Sequence, residues 1–198
     1  MPIGYYDQLK LINYFKYLLD EAIYKNQNIE SKINSLKLIT EIMLIGYYDE
    51  LKLINYFKYL LDETIYKNQN IESKINSLKL ITEIMPIGYY DELKLINYFK
   101  YLLDETINND KIIESKINSL KLITEIMPIG YYDQLKLINY FKHSLDEIIN
   151  NDKITESKIK EIMPIGYYDE LIPDFELEIK KKKTFLPILP NDEHIKKD

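Results

Sequence analysis

One octet, Met-Pro-Ile-Gly-Tyr-Tyr-Asp followed by Gln or Glu, begins at Met1, Met85, Met127 and Met163, and a Leu44 version of it begins at Met43. The starts lie 42, 42, 42 and 36 residues apart. Units one and two differ only at Pro2/Leu44, Gln8/Glu50 and Ala22/Thr64. A period of this length constrains the fold more than any other feature of the chain. A unit so short cannot bury its apolar face alone, so it is stable only when packed against its neighbours. The repeat divides the array 1–171 into units 1–42, 43–84, 85–126 and 127–162 and a partial unit 163–171. Residues 172–198 are left as a cap or tail. Met1 stands in register with the internal Met residues, so it reads either as a repeat Met or as a start.

Within residues 1–42, Leu9, Ile12, Phe15, Leu19 and Ile23 share one side of a helical wheel, and Leu11 and Leu18 widen it. An arc this wide has to touch more than one neighbour. Lys16 falls inside the arc, where its stem is expected to lie on apolar surface with the ammonium in water. A second helix is expected from the spacing of Ile29, Ile33, Leu36, Ile39 and Met43, with Asn28 as its N-cap. It should stop near Ile84 or Ile126 in later units, because a Met that precedes Pro avoids helical ψ. Gly88 is then expected to help reverse the chain. Leu44 removes one breaker between units one and two, so Gly46 is expected to keep the turn there. Otherwise one helix would run from 28 to 66.

Each unit is thus predicted to be a helical hairpin, and the fold class all-α: an α-solenoid of stacked hairpins. It resembles HEAT-type repeats in period and helix count, and in nothing finer. The Trp/Leu-Gly/Tyr signature of tetratricopeptide units is missing. In the tail, Phe175-Glu176-Leu177-Glu178-Ile179 alternates as a strand would. The apolar residues from Phe185 to Pro190 are suited to covering an open end of the stack.

Composition narrows the functions. Cys is absent, which excludes disulfides, thiol catalysis and thiolate metal sites. The longest run free of Asp, Glu and Lys is eight residues, Thr184 to Asn191, so no membrane span is expected. The start carries no secretory pattern, and an intracellular, cytoplasmic protein is the expectation. The net charge is −6 and all of it lies in residues 1–170. That argues against nucleic acid, which needs a cationic face. Lys180, Lys181, Lys182 and Lys183 read either as a solvated charge run or as a short motif for nuclear import or an acidic partner.

Catalytic chemistry finds little support. The two His residues, His143 and His194, lack any spacing to a partner base. The pairs Asp20-Glu21, Asp62-Glu63, Asp104-Glu105 and Asp146-Glu147 put adjacent carboxylates about 100° apart on a helix, poor geometry for shared work. No catalytic, cofactor-binding or metal-binding residue is assigned, no cofactor is expected, and the chain is read as non-enzymatic.

The surface feature that recurs is aromatic. Tyr14, Tyr56, Tyr98 and Tyr140 share one unit position, and Tyr17, Tyr59, Tyr101 and His143 follow a turn later. Asn13, Asn55, Asn97 and Asn139 stand beside them. Such rows suit a protein contact, since Tyr offers a large rigid area with a polar tip. The competing reading, which several buried sides per solenoid helix favour, is a packed junction with the hydroxyl at its rim. The leading expectation is a scaffold that binds a basic or extended protein segment through this Tyr/Asn/Asp surface. The alternatives are a structural spacer or self-assembling rod and, more weakly, a binder of single-stranded nucleic acid that stacks bases on Tyr.

Overall fold

A computed structural model describes residues 3–67, 70–109 and 112–150. Among them the chain is helical and contains no strand. Unit one holds α1 (Ile3–Asp20), which runs on into a π-helical turn Glu21–Lys25, and α2 (Ile29–Ile42). Unit two opens with a 3-10 turn Ile45–Tyr47, followed by α3 (Leu53–Asp62), a second π-helical turn Glu63–Lys67 and α4 (Ile71–Ile84). Unit three contributes α5 (Tyr89–Glu92), α6 (Leu95–Asn109) and α7 (Ile113–Ile126). Unit four contributes α8 (Tyr131–Gln134) and α9 (Leu137–Asn150). The second half of unit four, the partial unit 163–171, the tail 172–198 with its alternating segment, and Lys180–Lys183 lie outside the described residues. No described helix is long and apolar enough to cross a membrane.

The second helices follow the sequence closely. Asn28 Oδ1 accepts from Ser31 N at 3.0 Å, and Asn70 Oδ1 from Ser73 N at 3.1 Å, so each caps its helix as expected. Unit three has Ile112 at this position and no side-chain cap. α4 and α7 end at Ile84 and Ile126, and Met85 and Met127 are extended, with ψ of 130° and 133°. Met43 has ψ of 138° although Leu44 follows it, so the stop does not need the Pro and no long helix forms. The glycines do less than expected. Gly88 and Gly130 have ordinary φ values of −59° and −61°, and a Cβ built at Gly46, Gly88 or Gly130 meets nothing within 4 Å.

The first helices differ from expectation in an instructive way. The periodicity predicts one helix through the Leu-Lys-Leu segment. Unit one forms it, with Lys10 inside α1. Units two to four break there, at Lys52, Lys94 and Lys136, which adopt left-handed backbone with φ of 49°, 50° and 49°. In unit two, Lys52 N donates to Asp49 O at 3.0 Å and Leu53 N to Tyr48 O at 2.9 Å, the paired bonds of a Schellman stop. From Ile45 to Asp62 the sequence departs from that of unit one only at Glu50, so local propensity cannot account for the break. What differs is the neighbour. Tyr48, Tyr90 and Tyr132 each turn back to donate to the carbonyls of Thr40, Thr82 and Thr124, at 3.3, 3.1 and 2.8 Å. The rings of Tyr47, Tyr89 and Tyr131 lie 6.2, 6.0 and 6.1 Å from those of Phe15, Phe57 and Phe99 in the unit before.

The core runs along these contacts. α2 packs on α1, then on α3 and α4; α4 packs on α6 and α7; α7 packs on α6 and α9. Phe15, Leu19 and Ile23 are buried as the wheel predicts, as are Ile33, Leu36 and Ile39 of α2. Lys16 is exposed and bonds Asp20 at 3.1 Å, so its stem does not cover the core. The π-helical turns carry a local mark. Buried Thr64 Oγ1 in the second of them has no partner, whereas Thr106, in the α-helical last turns of α6, donates to Leu102 O at 2.8 Å. A π turn shifts each carbonyl by one residue, which takes the i−4 acceptor out of line.

Candidate functional site

The Tyr and Asn rows divide by position along the chain. Tyr56 and Tyr98 are buried and Tyr140 is half-buried, all at junctions between units rather than on a free face. Tyr14, in the same unit position, is exposed. In the second row Tyr17 and Tyr101 are exposed, Tyr59 is half-buried and His143 is exposed. Asn13, Asn55, Asn97 and Asn139 are exposed throughout.

Each buried Tyr is held by the unit before it. Tyr56 Oη donates to Asp20 Oδ1 at 2.6 Å, Tyr98 to Asp62 at 2.6 Å, and Tyr140 to Asp104 at 2.5 Å. Burial, then the bond to Asp20, pushes the Tyr56 hydroxyl well above the ordinary range. Tyr98 and Tyr140 are raised for the same reasons, with Asp62 and Asp104 as partners. The Tyr56 hydroxyl, with help from Lys16, keeps the Asp20 carboxyl below its ordinary value. At Asp104 burial pushes upward, but the hydrogen bonds from Lys100 and Tyr140 outweigh it, and the net direction is down.

A second clasp runs in the opposite sense. Lys32, Lys74 and Lys116 of the second helices are buried. Their ammonium groups reach Glu63 at 2.6 Å, Glu105 at 2.7 Å and Glu147 at 2.9 Å in the next unit. Lys32 Nζ also lies 5.0 Å from the Tyr59 ring centroid, and Lys74 Nζ 5.3 Å from that of Tyr101. In the pairs Asp62-Glu63 and Asp104-Glu105 the two adjacent carboxylates therefore take different partners, Asp gripping the following unit's Tyr and Glu the preceding unit's Lys. On a wheel drawn for one unit both carboxylates fall on the outer arc, which hides the clasp. A signal was present: Lys32 lies three residues after Ile29 and four before Leu36, on the apolar stripe itself.

Rings close the first two junctions. Tyr24 lies 5.6 Å from Tyr56 and edge-on to Tyr59 at 5.0 Å; Tyr66 repeats this at 6.1 Å from Tyr98 and 5.3 Å from Tyr101. At the third junction Asn108 and His143 replace both outer rings together. His143 thus stands at a junction that lacks the other member of the ring pair as well.

The face that these contacts cover is open in unit one. Leu9, Leu11, Tyr14 and Leu18 are 44%, 43%, 68% and 43% exposed, while their counterparts Leu51, Leu53, Tyr56 and Leu60 are 7%, 0%, 5% and 0% exposed. Chemically this is an apolar patch of three Leu side chains beside the exposed Tyr14 ring. No group of three or more His, Asp or Glu capable of holding a metal ion occurs among the described residues. No protein-family model, curated protein or solved structure matches the chain.

Proposed function

We propose that the chain is an α-solenoid of stacked helical hairpins that works as a non-enzymatic, protein-binding scaffold. One contrast carries the reading: four residues that unit two buries are exposed in unit one with the same side chains. An exposed apolar patch of this kind on a helical face marks a contact with another protein. The solenoid reading is supported by the serial packing of α2 on α4 and α4 on α7, and by clasps whose partners lie 36 and 31 residues apart and which recur every 42 residues. The contact surface is then Leu9, Leu11, Leu18, Asn13, Tyr14 and Tyr17, extended by the exposed Asn row. The buried Tyr56 and Tyr98 serve the stack and not the partner.

The test is capture. The immobilised chain should retain protein from an extract of its native cells, and Leu18→Glu should release it. Equal retention by both, or none by either, refutes the reading.

A further inference from the structure

We infer that two ring pairs across the junctions, Tyr24 with Tyr59 and Tyr66 with Tyr101, are sites of oxidative coupling, at which a peroxide-driven one-electron oxidant joins each pair into a dityrosine and locks units one to three together. The inference goes beyond the scaffold reading and does not depend on it. Tyr24 and Tyr59 meet edge to face, with centroids 5.0 Å apart and planes at 83°. Tyr66 and Tyr101 repeat the arrangement at 5.3 Å and 82°. At these separations the edge carbons of one ring touch the face of the other. Tyr24, Tyr66 and Tyr101 are exposed and Tyr59 is half-buried, so an oxidant in solution reaches both members of each pair. Tyr56 and Tyr98 are the competing partners, at 5.6 Å from Tyr24 and 6.1 Å from Tyr66. They are farther off, they are buried, and their hydroxyls are held by Asp20 and Asp62. At the third junction Asn108 and His143 stand in both ring positions, so the pattern gives two links and no third.

The coupling balances as follows in each pair. Each phenol gives up one electron and its hydroxyl proton and becomes a phenoxyl radical, with spin shared onto the ring carbons beside the C–O carbon. Two such carbons, one from each ring, form a C–C bond. The hydrogen on each then moves through water to its own oxygen, which restores both aromatic rings and both hydroxyls. Two electrons and two protons leave per link, and hydrogen peroxide, working through a haem peroxidase, takes them up to give two waters. Two rings already in contact meet at an effective concentration far above that of rings on separate molecules, which favours these pairs over coupling between chains. The joined residues are 35 apart in sequence in both pairs. A covalent bridge over that span restricts the unfolded chain as a disulfide would, so it holds the junction closed.

The test is oxidation of the full chain in dilute solution with a haem peroxidase and hydrogen peroxide, followed by isolation of the monomer and digestion after lysine. Tyr24 falls on peptide 17–25, Tyr59 and Tyr66 on 59–67, and Tyr101 on 101–111. Mass spectrometry should find 17–25 joined to 59–67 and 59–67 joined to 101–111, each link lighter by two hydrogens than the separate peptides. Tyr24→Phe keeps the ring but has no hydroxyl to oxidise. It should lower the first link about tenfold or more and leave the second, and Tyr66→Phe should do the reverse. Circular dichroism checks that each variant keeps its helices. The linked monomer should unfold in urea at a midpoint raised by roughly 1 M or more. A monomer without these links, links that run to Tyr56 on 53–58 or Tyr98 on 95–100 instead, a first link that survives Tyr24→Phe, or a linked chain whose midpoint does not move overturns the inference.

Discussion

Glycine at one unit position should act with opposite signs in two nearly identical stretches of this chain. Lys94 holds a left-handed conformation at φ 50°, while Lys10, flanked by the same Leu-Lys-Leu-Ile-Asn-Tyr-Phe sequence, lies inside α1. A non-glycine residue in left-handed backbone is strained by about 1–2 kcal/mol. Glycine removes that strain but gives the unfolded chain more freedom, which returns about 0.4–1 kcal/mol of it. Lys94→Gly should therefore stabilise by roughly 0.5–1 kcal/mol. Lys10→Gly gains nothing from strain relief and should destabilise by about 0.5–1 kcal/mol, the helix-interior penalty of glycine. The Lys52, Lys94 and Lys136 positions lie in separate units, so the triple glycine variant should add about 1.5–3 kcal/mol of stability. Urea unfolding followed by far-ultraviolet circular dichroism reads this as a rise in midpoint of roughly 0.5 M or more. If Lys10→Gly and Lys94→Gly shift the midpoint in the same direction, the claim that context alone breaks the helix is wrong.

Tyr98→Phe removes the hydroxyl that donates to Asp62 at 2.6 Å and should lose about 1–2 kcal/mol in the same assay, while Tyr14→Phe should leave monomer stability unchanged. Glu105→Ala strands the buried Lys74 ammonium and should lose about 3–5 kcal/mol; Lys74→Met together with Glu105→Gln should recover most of it, and failure to recover would show that the clasp does more than satisfy a buried charge. The folded state raises the Tyr56, Tyr98 and Tyr140 hydroxyls above their ordinary value near 10, so the stability they carry is present below pH 10 and is lost as pH rises beyond it. A spectrophotometric titration should therefore show a late phenolate fraction that ionises together with loss of helicity; one smooth transition near pH 10 with helicity intact refutes it. Asp20 and Asp104 act in the other direction, since their lowered carboxyls carry stability that is lost as pH falls below about 4.

What was legible in the sequence is what one unit decides for itself. Asn28 and Asn70 cap because an Asx side chain three residues before a free N–H does so in any helix. Phe15, Leu19 and Ile23 are buried because the 3.6-residue pattern needs no knowledge of the neighbour. The Tyr rows could be read as core or contact, and the chain realises both, Tyr98 buried and Tyr14 exposed, because the answer depends on whether a unit lies against that face. The clasps escaped for the same reason: Lys32 meets Glu63 across a junction, 31 residues on, where a helical wheel drawn for one unit cannot look. The break at Lys52 follows from a comparison of magnitudes. Left-handed backbone at one Lys is unfavourable by about 1–2 kcal/mol. Seating Leu53 and Tyr56 fully against unit one, where Leu11 and Tyr14 stay exposed, gains about 1.5–3 kcal/mol for each large side chain. Where a preceding unit offers that surface the burial outweighs the strain and the helix breaks. In unit one the strain has nothing to set against it, and the identical segment remains a single helix.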